Sequence, residues 1–205
     1  MKITLSQFIG YSAKTTTSAR MNAVSDIKYS QYSVLTDYWK PIRDGLHKVL
    51  AGKMSFDQLM DIASKAPEAK NKRKNQMAAV NKLQLFFGKL KYEYNPSISA
   101  TWHNTDETLT INSSPEFVLK TNGKVLLLKV NYRVSKPDEK LTKWNLPATL
   151  FLMDQSVYKD RPKNSIPAVL NLQNSKLITL DDIKTPKTDI VEAEAAMFVA
   201  LWSTC

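Results

Sequence analysis

The feature that most constrains this 205-residue chain is a change of hydrophobic period near Tyr92. Before it, apolar residues recur at helical spacing; after it they alternate, or run in short apolar stretches bounded by turn residues. Leu35, Tyr38, Trp39, Ile42, Leu46, Val49 and Leu50 follow the first rule, and Gly52 supplies a stop signal. Pro41 suits the first turn of a helix beginning near Lys40 but would kink one beginning at Val34, which leaves that boundary open. Ser55-Phe56-Asp57-Gln58 has the form of a capping box, in which Ser hydroxyl and Gln side chain each satisfy a free N–H. A further helix is expected from Pro67 and Glu68 through Met77, Val80, Leu83 and Phe87 to Gly88.

Beyond Tyr92, strands are expected at Ser97–Trp102, Glu107–Ile111, Phe117–Lys120 and Lys124–Val134. Thr121-Asn122-Gly123-Lys124 is the sharpest local signal, because Asn-Gly accommodates the two positive φ angles of a type I′ hairpin turn. A second hairpin is expected from Ala168–Leu172 and Lys176–Leu180, whereas Ala148–Met153 fits either a strand or a buried helix. Asp189 and Glu192 open a closing helix whose apolar face is Val191, Ala195, Phe198 and Trp202. The sum is one α+β domain over residues 1–205. Its parts are an arm, ordered or mobile, with short helices around Leu5–Tyr11 and Ala19–Ile27 (1–30), a helical part (34–88), one mainly antiparallel twisted sheet (92–182) and a C-terminal helix (189–203).

The single cysteine, Cys205, excludes an internal disulfide framework and a cysteine-based zinc site. No apolar run reaches the roughly 18 residues a membrane span needs, and the interrupted N-terminus lacks a secretory core. A cytoplasmic protein without a membrane partner is expected. Neither His47 nor His103 has a second ligand at metal-binding spacing, and no Gly-rich phosphate loop is present.

The formal net charge of +10 attracts polyanions, although surplus lysine also serves solubility. Eight basic residues against one acidic lie between Lys65 and Lys91, with Lys70, Arg73 and Lys74 at spacings that would share a helix face. Lys120, Lys124, Lys129, Arg133, Lys136, Lys140 and Lys143 form a second cluster against Asp138 and Glu139. Lys70, Arg73, Lys74, Lys82, Lys124, Arg133 and Lys136 are therefore the candidate nucleic-acid contacts. If the two clusters adjoin, they make one groove. Lysine dominates over arginine, which favours backbone attraction over base reading. Tyr92, Tyr94, Trp102 and Tyr132 could stack on bases or pack in the core.

One constellation carries chemistry. Pro115-Glu116 opens a strand, the Asn122-Gly123 turn comes next, and Leu127-Leu128-Lys129 lies on the return strand. This layout resembles the core of the PD-(D/E)xK nuclease superfamily, which pairs an acidic residue after proline with a carboxylate-x-Lys on the next strand. The resemblance implies Glu116 as a metal ligand and Lys129 as the catalytic lysine. It departs at Leu127, where the motif has Asp or Glu, so an active enzyme would need another carboxylate, such as Asp106, Glu107 or Glu93. The alternative is an inactive relative. Thr36–Arg43 and Glu192–Ala196 with Trp202 also resemble segments of a group of small bacterial proteins of unknown function, which implies no activity.

The leading expectation is a non-enzymatic nucleic-acid-binding protein that recognises backbone charge without strong sequence specificity, and that could work within a larger bacterial complex. The alternatives are an interaction module of a bacterial (antiviral) defence or toxin-immunity system, binding an acidic protein, and a divergent metal-dependent nuclease. No cofactor is expected, except Mg²⁺ under the nuclease reading.

Overall fold

A computed structural model describes residues 1–29, 37–132, 145–184 and 187–205. The chain is α+β and ends in a helix, as its periodicity implies. The strand β1 (Lys2–Thr4) leads into helices α1 (Leu5–Ser12), α2 (Thr17–Tyr29), α3 (Lys40–Leu50), α4 (Phe56–Ser64) and α5 (Lys72–Phe87). Strands β2 (Glu93–Asn95), β3 (Ala100–His103), β4 (Thr110–Asn112), β5 (Phe117–Thr121) and β6 (Lys124–Asn131) come after them. Helix α6 (Asn145–Asp154), strands β7 (Val157–Tyr158), β8 (Ser165–Asn171) and β9 (Lys176–Thr179), and helix α7 (Thr188–Thr204) complete the order.

The strands form two sheets rather than one, ordered β1-β4-β3-β7 and β2-β5-β6-β8-β9. Each is mixed: β1 pairs with β4 in parallel, and so does β6 with β8. Strand β6 is the centre of the larger sheet and is apolar on both sides, as a doubly covered strand must be. Leu126, Leu128 and Val130 enter one apolar cluster with Ile42, Leu46, Leu59, Val80 and Leu83 from α3, α4 and α5. Val125 and Leu127 belong to the opposite cluster, with Phe8, Ile111, Phe151, Leu152 and Phe198. The period-two alternation of side chains divides the core in this way.

The first residues are built into the second cluster rather than forming an arm. Thr4 and Gln7 make a reciprocal capping box, and Phe8, Tyr11 and Phe198 pack ring against ring. Periodicity is weak there because α1 is buried on several sides at once, through Leu5, Phe8, Ile9, Tyr11 and Ser12. Ala148–Met153 is helical, and every one of those residues is buried in α6. The helix expected from Pro67 is interrupted: Ala69–Asn71 forms a 3-10 turn, and Asn71 takes the left-handed conformation (φ 57°) before α5 begins. Two local readings match the structure closely. Ser55 and Gln58 form the capping box, and Asn122 and Gly123 have φ of 49° and 74° at the β5–β6 turn.

Candidate functional site

The β5–β6 hairpin is held in register from Phe117↔Leu128 to Thr121↔Lys124. Just before that ladder the Glu116 N–H donates to the Leu128 carbonyl at 2.8 Å, so Glu116 and Phe117 both sit against Leu128, and the Lys129 charge acts on the Glu116 carboxylate. The hairpin thus brings together the acid and the lysine singled out in the sequence. Tyr132, just beyond β6, donates its hydroxyl to Glu116 Oε2 at 2.8 Å, and the carboxylate also accepts from the Val130 backbone N–H. From α3, Arg43 adds a positive field at Glu116 while its own Nη2 donates to Asp37 Oδ2 at 2.7 Å.

Aromatic contacts join this centre to the start of α5. The Tyr132 ring stacks on Trp39 (centroids 5.8 Å, planes 26° apart), and Trp39 meets Tyr38 edge-on at 4.9 Å. Lys72 Nζ sits 5.5 Å above the Tyr38 ring, and Asn75 donates to the Tyr38 hydroxyl at 2.8 Å. Two cationic regions, α3 with Lys129 and the first turn of α5, therefore lie at the same end of the molecule.

Burial sets the electrostatics. It pushes the Glu116 carboxyl above the usual carboxylate range, against the pull of Lys129, the Tyr132 hydrogen bond and Arg43. Burial likewise lowers Lys129, with Glu116 opposing, and raises Tyr132 well above an ordinary phenol, with the Glu116 charge adding to it. Desolvation leads in all three. A partly enclosed acid hydrogen-bonded to a phenol, with a lysine charge beside it, is the arrangement that marks functional sites, and structural ion networks share it.

The donor set does not fit Mg²⁺, which takes several oxygen ligands in octahedral geometry. Leu127, two residues before Lys129 on the same strand face, is fully buried in the cluster with Val118 and Leu152. The substitute carboxylates lie elsewhere. Glu107 is in the turn between β3 and β4, where its N–H donates to the Asn104 carbonyl, and Asp106 precedes it. Glu93 pairs with Lys120 at 3.0 Å, about 13 Å along β5 from Glu116 at the usual rise per residue. Among the described residues, no three His, Cys, Asp or Glu side chains converge. No step is derived through a metal.

The candidate nucleic-acid contacts divide. Lys124 is exposed at the hairpin turn and shares a concavity with Lys91 and Lys120. Lys74 is exposed beside a second concavity lined by Glu68, Asn71, Arg73 and Asn81. Arg73 is engaged internally, with Nε donating to the Ala66 carbonyl at 2.9 Å and Nη1 to Glu68 at 2.7 Å. Lys82 donates to the carbonyls of Leu172 (2.6 Å) and Gln173 (3.0 Å), closing the end of β8. The single helix expected to carry Lys70, Arg73 and Lys74 is interrupted at Asn71, and α5 begins only at Lys72. The Lys70 side chain, Arg133 and Lys136 lie outside the described residues.

Of the first basic cluster, Lys91 adjoins Lys120 and Lys124 of the second in one concavity, while the rest of the first is spread along α5. Lys72 and Lys74 open α5, whereas Lys89 and Lys91 come after its last turn, about 24 Å away for a helix of 16 residues. The aromatics offered for stacking are packing groups: Trp102 and Tyr132 are buried, Tyr92 packs on Phe87, and Tyr94 meets His47 Nδ1 through its hydroxyl at 2.9 Å. No sequence pattern signals Arg43 or the hydrogen-bonding role of Tyr132; both act on Glu116 through tertiary placement.

No family model and no curated protein matches this chain. A solved structure described as the crystal structure of SSO0001 is similar at 11% identity and a TM-score of 0.36, over 87% of this chain and 82% of that one.

Proposed function

We propose that this chain binds nucleic acid through backbone charge, on a nuclease-like hairpin that carries an acid–lysine pair without the second carboxylate needed to cut. One observation carries the reading: the β5–β6 hairpin sets Glu116 and Lys129 near enough for each to act on the other's charge, while Leu127 at the intervening motif position is fully buried. The pair resembles the PD-(D/E)xK layout, and the missing ligand removes the metal-dependent step. Glu116, Lys129 and Tyr132 then act as an internal strut that orders the hairpin. The net charge of +10 supplies long-range attraction.

Fluorescence anisotropy of labelled single- and double-stranded DNA and RNA across a salt series tests this. Association with a linear fall of log affinity against log salt is expected, with little dependence on base sequence. Absence of binding to every probe at about 50 mM salt, where phosphate contacts are strong, would overturn it.

A further inference from the structure

At the far end of β5 from Glu116, three lysines from consecutive strands meet. Lys91 precedes β2, Lys120 is the next-to-last residue of β5, and Lys124 begins β6; all three are exposed and line one concavity with Tyr92, Thr121 and Gly123. The backbone holds them there. Glu93 and Lys120 are cross-strand partners, Thr121 and Lys124 close the hairpin, and Thr121 Oγ1 donates to the Lys91 carbonyl at 2.8 Å. Asn122 and Gly123 of the turn line the concavity as well.

Within this concavity the one carboxylate is Glu93, paired with Lys120 at 3.0 Å. Both partners are more than half exposed, so the pair is weak and a competing anion can replace it. Lys91 and Lys124 form no ion pair among the described residues, and the Asp182 carboxylate near Lys124 is taken up by the Thr179 N–H and hydroxyl. Tyr92 is packed against Phe87 rather than offered to solvent. The concavity therefore presents point charges and no stacking platform.

We infer that the Lys91–Lys120–Lys124 concavity is a phosphodiester-binding site that tracks the nucleic-acid backbone without reading bases. This rests on the nucleic-acid reading above but names a different place, about 16 Å from Glu116 along β5 at the strand rise per residue. Lysine, a compact charge with rotatable donors, suits phosphate contact without fixed geometry.

The test is anisotropy with a labelled oligothymidylate and a labelled mixed-sequence duplex, comparing wild type with Lys91→Ala/Lys124→Ala and with a charge-matched control, Lys53→Ala/Lys163→Ala. Unchanged thermal midpoints establish that both variants fold. Loss of two phosphate contacts should make the salt slope shallower by about 1.4 to 1.8. Between about 50 and about 200 mM salt the wild type then loses about tenfold more affinity than the first variant, and the control behaves as the wild type does. Equal slopes for both variants, or wild-type slopes for both, overturn the site while leaving nucleic-acid binding intact. A wild type that binds neither probe fails the nucleic-acid reading itself, and this site with it.

Discussion

Replacing Leu127 by glutamate writes the missing carboxylate into the hairpin, at a position the fold has sealed. Leu127 is fully buried in the apolar cluster that includes Val118, Phe151 and Leu152. Losing a buried leucine side chain costs about 2 to 5 kcal/mol, and a carboxyl without partners there adds a few more. Leu127→Glu should therefore lose about 4 to 6 kcal/mol at neutral pH, a large part of a typical domain's 5 to 15 kcal/mol. In urea unfolding the midpoint should fall by about 2 M, whereas Leu127→Met should cost less than about 1.5 kcal/mol.

The pH dependence has a definite sign. The folded state holds the introduced carboxyl neutral and so binds its proton more tightly than the unfolded chain, whose value is about 4.3. Stability must then rise as pH falls through the folded pKa, and the gap to wild type should narrow from about pH 7 to about pH 5. A variant that lost under about 1 kcal/mol at pH 7 and gained stability from Mg²⁺ would refute the reasoning. It would mean that position 127 faces an open, ligand-competent site.

Two further substitutions probe neighbouring elements. Tyr132→Phe removes the hydrogen bond to Glu116 and should cost about 2 kcal/mol in denaturant unfolding. Because Glu116 already titrates above its ordinary value, stability should decline as pH rises from that value through the folded one; Tyr132→Phe should extend the window upward, read by carboxyl ¹³C NMR. Lys82→Met removes the two hydrogen bonds that close β8 and should destabilise by about 2 kcal/mol. Nucleic-acid affinity should not change, which equilibrium binding of the folded variant will check.

The elements written in local pattern were legible. Asn122-Gly123, the Ser55–Gln58 capping box and the acidic start of α7 each announce themselves within four residues, because each answers to its own stretch of backbone: the φ angles of a turn, the free N–H groups of a first turn, the dipole of a helix. The nearness of acid and lysine was legible for the same reason: a two-residue turn fixes the ladder as far as Phe117 and Leu128, and Glu116 and Lys129 flank that last pair. The features that were not legible depend on distant chain. The parallel pairing of β1 with β4 joins Lys2 to Thr110, and the expected single sheet is two, with β3 and β4 in one and β5 and β6 in the other. Lys82 has the local pattern of a free surface cation, and only the fold sets the end of β8 against it. Arg43 reads as a polar helix residue, and only the packing of α3 on the hairpin makes it part of the Glu116 environment.

The central claim is binding without cleavage, and one sample tests both halves: the wild-type chain with an end-labelled strand and Mn²⁺ or Mg²⁺, run on native and denaturing gels in parallel. The account predicts a salt-sensitive shift on the native gel and an intact strand on the denaturing one. Metal-dependent shortening of the strand that disappears in Lys129→Met would contradict it and make the hairpin a working nuclease centre.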